Sequence, residues 1–408
     1  MPKFLTIDDF DLKNKTVLVR VDFNSPLDPK TKQIINDKRI RAHADATIKE
    51  LVKKGAKTVI LAHQGRPGDA DFISLDQHAK LLGKALNMPV TYVDDVLGEA
   101  AQNAIKALVS GEVLVLGNVR SVSNEQKKGS PEEHSKTEFV KKLAPLADVF
   151  INDAFAAAHR AHVSMVGFTA VLPSAAGRIM ERELKALGKV LEAPGKPSVF
   201  VIGGAKGDDS LDISNYVLKN DIADYVLTGG VIGHIFLVAK GVNLGDGNMK
   251  FLEKKELMGL VPGIKELMNE YPGAVIVPVD LAMEVDQKRK EINVDDLPTQ
   301  YAVFDIGTKT AKKFGAIIRK AKTIVVSGPV GVFENPEFKA GSQIVLEAVA
   351  DSEGFSLVGG GHTVAAVEQL GLADKMSYVS TAGGALIEFL MGKQLPGVVA
   401  LEKAAVRT

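Results

Sequence analysis

Short apolar runs rich in β-branched residues recur at 17–21, 59–62, 113–116 and 149–151, with amphipathic segments between them. That alternation is the pattern of βαβ units and predicts a parallel sheet. A second series at 199–202, 225–227, 275–277, 324–326, 355–358 and 378–379 predicts a second one. Helix signals fill the intervals: Ile40, Ala44, Ile48, Leu51 and Val52 share one face, and Gly55 follows as a stop. Ser74 with Gln77, and Ser130-Pro131 with Glu133, read as capping-box starts. Between the two series lies a stretch at 175–191 rich in Glu, Arg, Lys and Leu, followed by the breaker Ala193-Pro194-Gly195-Lys196-Pro197. It reads as an interdomain helix and linker.

Composition agrees with two domains. A chain of 408 residues, 46% apolar and 25% charged, is too long for one core. Fifty basic and fifty acidic residues cancel, so no global field draws it to nucleic acid or to a membrane surface, and any anion site must be local. The absence of cysteine removes disulfides, cysteine metal sites and a thiol nucleophile, and suits a reducing compartment. The first ten residues hold no apolar signal core and no run approaches a membrane span, so the expected location is cytoplasmic.

In open α/β sheets ligands bind beyond the carboxyl ends of the strands. In the first half those ends carry Asp22-Phe23-Asn24, His63-Gln64-Gly65-Arg66, Asn118-Val119-Arg120, and Asn152-Asp153 with His159-Arg160 close behind. Guanidinium, imidazole and amide groups gathered on one rim select a small polyanion. In the second half the ends carry glycine turns: Gly203-Gly204-Ala205-Lys206, Thr228-Gly229-Gly230, Ser327-Gly328-Pro329-Val330-Gly331, Gly359-Gly360-Gly361-His362-Thr363, and Ser380-Thr381-Ala382-Gly383-Gly384. Glycine lets backbone amides approach a phosphate, and the helix that follows offers its positive end, so five such turns suggest a nucleotide. Lys206 is the cation within those turns.

Taken singly, each feature has a plainer explanation. A Gly-Gly turn is a tight connection, Arg39 a solvated charge, His63 a buried histidine, Arg20 an ion-pair member and Asp153 a helix cap. The partition of cationic loops into one half and glycine loops into the other is what points to function. A Walker loop, a dinucleotide fingerprint after the first strand, a nucleophile elbow and a zinc-binding His-Glu-x-x-His are all absent.

Together the loops resemble the phosphoglycerate kinase family along the whole chain. Arg20-Val21-Asp22-Phe23-Asn24, Arg39-Ile40, His63-Gln64-Gly65-Arg66-Pro67-Gly68, Arg120, and Asn152-Asp153-Ala154-Phe155 through His162 match its acid-binding half. Gly203 through Lys206, Gly328 through Glu334, Gly359-Gly360-Gly361 and Ser380-Thr381 match its nucleotide half in order. The resemblance implies two Rossmann-like doubly wound parallel-sheet domains joined by an interdomain helix and hinge. Residues 1–170 would bind 3-phosphoglycerate, 171–197 would form the helix and linker, 198–388 would bind nucleotide, and 389–408 would return to the N-terminal domain.

Under that resemblance Asp22, Phe23, Asn24, Arg39, His63, Gln64, Gly65, Arg66, Arg120 and Arg160 would hold 3-phosphoglycerate or 1,3-bisphosphoglycerate, with Arg20 contributing less directly. Lys206, Gly229, Gly230, Pro329, Glu334, Gly360, Gly361, His362 and Thr363 would hold ADP or ATP, with Glu334 on the ribose hydroxyls. Mg2+ would accompany the nucleotide phosphates, with no protein ligand assigned. Ser210 stands where the family usually has a second lysine, His362 where it has an aspartate, Gly117 replaces an acidic residue and Ala382 interrupts a triple glycine. Ser210, His362 and Gln64 resemble the archaeal branch.

The expected reaction is in-line, reversible transfer of the 1-phosphoryl group of 1,3-bisphosphoglycerate to ADP, by hinge closure and without a covalent intermediate. Arg39, Lys206 and amides near Gly361 and Gly384 would face the transferring group. Asp22 would accept a substrate hydrogen bond rather than act as a base. A nicotinamide-dependent dehydrogenase and a bilobed small-anion binding protein are the competing readings, and the oligomeric state is monomer or homodimer.

Overall fold

The computed structural model describes residues 4–407. Residues 1–3, part of the N-terminal segment considered for a signal core, and Thr408 of the final segment lie outside them. The described residues divide into two units: one runs through Lys185 and takes back the segment from Gln394, and the other is Ala186–Lys393.

The first unit is built on β1 (Thr16–Arg20), β2 (Lys57–Leu61), β3 (Thr91–Tyr92), β4 (Val113–Val115), β5 (Val149–Asn152) and β6 (Ser174–Ala176). They form one parallel sheet in the order β3-β4-β2-β1-β5-β6. Alternate residues of the central strands feed two layers: Val17, Val19 and Ile60 pack on one face, Leu18, Val59 and Leu61 on the other. Burial on both faces is why these strands read as continuous apolar runs. The order reverses between β1 and β5, and that switch point opens a crevice at their carboxyl ends.

The second unit contributes β7 (Ser198–Ile202), β8 (Tyr225–Thr228) and β9 (Val275–Ile276), then β10 (Asp280–Val285), β11 (Lys288–Asn293) and β12 (Val303–Ile306). After them come β13 (Thr323–Ser327), β14 (Phe355–Gly359) and β15 (Tyr378–Val379). Six of the nine form a parallel sheet in the order β15-β14-β13-β7-β8-β9, with its switch point between β13 and β7. The other three form a small antiparallel sheet, β11-β10-β12.

The antiparallel sheet, β3 and β6 escape the sequence pattern for separate reasons. β11 reads Lys-Arg-Lys-Glu-Ile-Asn and β6 reads Ser-Ala-Ala, so neither carries a β-branched apolar run, and β3 has only two residues. Pairing of β6 with β5 carries the first unit past the expected boundary at 170. The helix expected over 175–191 therefore begins at Arg178. Asp153 Oδ1 accepts from the amides of Ile179 (2.8 Å) and Met180 (3.3 Å) and so caps it.

The two capping-box expectations part company. At Ser130 the box is complete: its hydroxyl accepts from Glu133 N at 3.1 Å, and Glu133 Oε2 accepts from Ser130 N at 2.7 Å. At Ser74 it is not, because the helix Asp76–Leu86 starts one residue later, with Leu75 at the cap and no side-chain bond. Gln77 instead reaches sideways, accepting from Ile34 N and donating to Lys32 O. Replacing Ser130→Ala should lower unfolding stability by about 1 kcal/mol, whereas Ser74→Ala should stay within about 0.5 kcal/mol of the parent. Urea unfolding of the two variants checks both, and equal losses would contradict the difference in capping.

Candidate active site

The crevice of the first unit is assembled by loops that hold one another. Asn24 N donates to Asp22 Oδ1 (3.2 Å), and Asn24 Oδ1 accepts from Gly65 N (2.9 Å), tying the loop after β1 to the loop after β2. Gly65 has φ +65°, and a Cβ there would stand 2.4 Å from the Asp71 backbone, so the turn requires glycine. Asn118 after β4 donates to Gln64 O at 2.7 Å, and an Arg120 Nη1 proton goes to Gly65 O. Arg39, half-buried on the helical stretch that starts at Lys38, forms an ion pair with the buried carboxylate of Asp22. Beneath them His43 Nε2 accepts from Asp22 N at 3.1 Å while its Nδ1 donates to Asp153 Oδ2 at 2.7 Å. Asp153 thus serves the helix cap and the floor of the crevice together.

Charge defines this crevice. Burial lowers the proton affinity of Arg20, Arg120 and Arg160, and the neighbouring guanidinium groups, Arg66 among them, lower it further: Arg120 falls to about 10. Burial and the neighbouring guanidinium groups hold His63 well below the ordinary histidine range and push His162 down to about 3. Both rings are therefore neutral near pH 7. The carboxylates that oppose the cluster are Asp22 and Glu125, and burial raises Glu125 to about 7 despite Arg20 beside it. Mutually repelling cations with so few counter-charges form a receptor for an anion of high charge.

The second unit presents backbone instead. At the switch point Gly203 N donates to Ser327 O (2.9 Å), Gly204 N to Pro329 O (2.8 Å) and Gly230 N to Val330 O (2.7 Å). A Cβ at Gly203 would stand 2.2 Å from Pro329 O, one at Gly328 2.3 Å from Gly203 O, and one at Gly229 2.5 Å from the Val330 side chain. These glycines are required by the interlocking of three turns. Gly361 and Gly383 differ: nothing lies within 4 Å of a Cβ built on either. The open part of the cradle is thus the pair of turns after β14 and β15, where Gly361 and Gly384 begin their helices.

Polar side chains around the cradle are few. Lys206 is exposed at the start of the helix Gly207–Lys219, and the buried Ser210 hydroxyl donates to its carbonyl at 2.7 Å. Ser210 supplies a tether for Lys206 rather than a second cation. Thr363 is buried and accepts from Gly328 N at 2.8 Å, so its side chain is spent on joining two turns. The exposed His362 Nδ1 lies 3.1 Å from Glu334 Oε1. Among the described residues no group of three carboxylate or imidazole side chains is arranged to hold a metal ion. With a histidine at 362 this turn presents no carboxylate of its own to a magnesium ion.

The expected acid-site residues fall into two kinds. Asp22, Asn24, Arg39, His63, Gly65, Arg66, Arg120 and Arg160 come together at the crevice through the bonds and charge interactions above. The Phe23 side chain instead lies in the core, stacked 6.5 Å from His78. Gln64 is also buried, its amide bonded to Ser25 N, Ser25 O and His78. His43, Glu125, His162 and Ser164 were not singled out as site residues from the sequence. Only His162, two residues beyond Arg160, carried a usable signal there.

Two parallel α/β units, one with a polyanion crevice and one with a glycine cradle beside a lysine, define a phosphotransferase that works on a small anionic substrate. The sequence model described as phosphoglycerate kinase matches residues 7–393. A phosphoglycerate kinase of Methanobacterium bryantii is 48% identical over 404 residues, covering 99% of this chain and 98% of its own. One from Saccharolobus solfataricus is 45% identical over 408 residues, with 99% and 98% covered. The crystal structure of phosphoglycerate kinase from Pyrococcus horikoshii superposes with a TM-score of 0.89 at 40% identity, covering 99% of both chains.

The chain belongs to the phosphoglycerate kinase family, and its relatives named here are archaeal. Its reaction is phosphoryl exchange between 1,3-bisphosphoglycerate and ADP, giving 3-phosphoglycerate and ATP. Neither a nicotinamide-dependent dehydrogenase nor a small-anion binding protein is supported. Among the described residues no helix is long and apolar enough to cross a membrane.

The buried ionisable groups set a pH dependence. His63, His78 and His162 stay neutral in the fold, His78 being pushed to about 4 by burial, whereas an unfolded chain protonates them near 6.5. Their stabilisation is present above about 6.5 and is lost as pH falls toward the folded values. Glu125 acts in the opposite sense, contributing stability below about 4.5 that is lost as pH rises through about 7. His234, pushed to about 4 by burial, joins the histidines, and Asp305, raised to about 6 by burial, joins Glu125, so four groups against two leave a net uptake of about two protons on unfolding near pH 5.5. The urea midpoint should therefore fall between about pH 7 and about pH 5.5; a rising midpoint would refute this balance.

Proposed function

We propose that the first unit holds 3-phosphoglycerate or 1,3-bisphosphoglycerate in its cationic crevice and that the second holds ADP or ATP in its glycine cradle. The observation that carries this reading is the cluster of Arg20, Arg66, Arg120 and Arg160, whose mutual repulsion a bound polyanion relieves. Arg39, Arg66, Arg120 and Arg160 are the donors to phosphate and carboxylate, with His63, Asn24 and Asp22 fixing the carbon chain between them. Phe23 and Gln64 act from below, supporting the loops. The enzyme works in the cytoplasm on small-molecule substrates.

On the nucleotide side the open turns at Gly360–Gly361 and Gly383–Gly384 offer backbone amides to the phosphates, Lys206 offers a point charge, and Glu334 takes the ribose hydroxyls. Gly229, Gly230, Pro329 and Thr363 shape the cradle wall. His362, paired with Glu334 here, must yield when the ribose arrives. Magnesium enters on the nucleotide phosphates.

Transfer between ligands held on separate units requires closure that expels water, which would otherwise hydrolyse the acyl phosphate. The chain's own part is then positional. Arg39 and Lys206 approach the transferring group from its two sides, and amides at Gly361 and Gly384 meet its equatorial oxygens. The attacking oxygen of ADP is already ionised, so no residue needs to remove a proton.

Three variants test the assignment, by turnover in a coupled assay with 3-phosphoglycerate and ATP, by direct ADP binding and by folding. Arg39→Ala should lower turnover roughly 100-fold with little change in the nucleotide KM, and wild-type turnover would remove it from the catalytic set. Gly361→Ala has room for its methyl group, so it should fold as the parent does yet bind ADP about 10-fold or more weakly. Gly203→Ala, by contrast, should fail at folding, because its methyl group meets a carbonyl oxygen. Undiminished ADP binding by Gly361→Ala would place the phosphates elsewhere.

A further inference from the structure

Arg20 is 2% exposed and each of its guanidinium nitrogens is committed. Nε donates to Ser164 Oγ at 2.9 Å, Nη1 to Val21 O, and Nη2 lies 3.0 Å from His63 Nδ1. Buried and bonded through all three nitrogens, the guanidinium is fixed in place by the protein. Its effect must pass through what it holds, and what it holds toward the crevice is the His63 ring.

The proton positions follow from donor and acceptor chemistry. Arginine only donates, so His63 Nδ1 must accept, and the neutral ring carries its proton on Nε2. Ser164 has a single hydroxyl proton. Having accepted from Arg20, it donates to the remaining partner, Glu125 Oε1. Glu125 Oε2 meanwhile accepts from Ser164 N at 2.8 Å. Glu125 and Ser164 are 1% and 0% exposed, so water does not substitute for any link. Glu125 and Ser164 therefore hold the Arg20 guanidinium where its Nη2 meets His63 Nδ1.

We propose that Glu125 is a positioning residue for the acid site: through Ser164 and Arg20 it fixes His63 as a neutral ring with a proton on Nε2, a ready donor to the bound acid. The proposal rests on the crevice being the acid site. Glu125 lies outside that crevice's ligating groups, and its carboxylate would repel an anion if charge were its only contribution. Removing the charge would then strengthen binding, whereas loss of the relay weakens it. The sign of the effect separates the two roles.

The test uses the full chain with 15N-labelled histidine and compares the parent with Glu125→Gln and Ser164→Ala. In the parent, the ring nitrogens of His63 should report the Nε2-protonated tautomer alone, near neutral pH. In both variants they should report a tautomer mixture, the KM for 3-phosphoglycerate should rise about 10-fold, and the KM for ATP should be unchanged. A single unaltered tautomer together with an unaltered or lowered KM would overturn the relay. A purely structural role would raise both KM values together, with the tautomer unaltered, and would overturn it equally. If Glu125→Gln does not fold, Ser164→Ala decides alone, since it removes the hydroxyl and leaves the carboxylate. Calorimetry of 3-phosphoglycerate with the parent separates this from the underlying reading: no binding there would fell the acid-site assignment, while the His63 tautomers would still judge the relay.

Discussion

Like-charge repulsion at the carboxyl edge of the first sheet is the constraint on which this molecule is organised. Arg20, Arg66, Arg120 and Arg160 are brought within interacting range, and two imidazoles beside them stay neutral near pH 7. A protein keeps such a cluster only if the loops carrying it are held by bonds indifferent to charge. They are: Asn24 to Gly65, Asn118 to Gln64 and the Gln64 amide to Ser25 and His78 are neutral links. Carboxylates placed freely among the guanidinium groups would relieve the repulsion and also quench the site. The two that act on the cluster are instead tied down, Asp22 to Arg39 and Glu125 to Ser164.

The second unit solves the opposite problem. On the proposed reading of its turns as a phosphate cradle, with Lys206 as their cation, attraction for phosphate comes from oriented amides, and amides need close approach. Most of its glycines, however, are used to let turns pack on turns. Gly203, Gly229 and Gly328 leave no room for a side chain because another loop is already there. That packing is a precondition of the cradle, since it fixes the wall against which the open turns at Gly361 and Gly383 stand.

This division explains what the sequence could disclose. Strands buried on both faces announced themselves as apolar runs, and the loops after them displayed their polar groups in order. Strands β6 and β11 did not, because small buried residues and an exposed charged edge leave no apolar signature. Gly-Gly patterns marked turns but could not distinguish glycines demanded by a neighbouring loop from glycines facing space. Glu125 was silent for a related reason. It sits in a polar stretch, Ser121 through Lys128, that reads as a solvated loop, and only the fold brings Ser164 beneath it. Asp153 could be read as a helix cap and is one, yet its second oxygen also fixes His43, a partner 110 residues away.

The contrast between guanidinium groups and amides also divides the discrimination each unit exercises. A crevice whose attraction comes from several partly buried cations weighs a ligand chiefly by its charge, and the exposed part of that attraction weakens as salt screens it. An amide cradle weighs a ligand by shape, because each N–H must find an oxygen along a fixed direction and gains little from a charge that misses it. Ser210 and His362 follow from this logic. If the cradle works by direction, a second lysine is dispensable so long as Lys206 is steady, and Ser210 holds the Lys206 carbonyl in place. Likewise a histidine at 362 is tolerable where the metal travels with the nucleotide, since the turn then has to present amides and not a carboxylate.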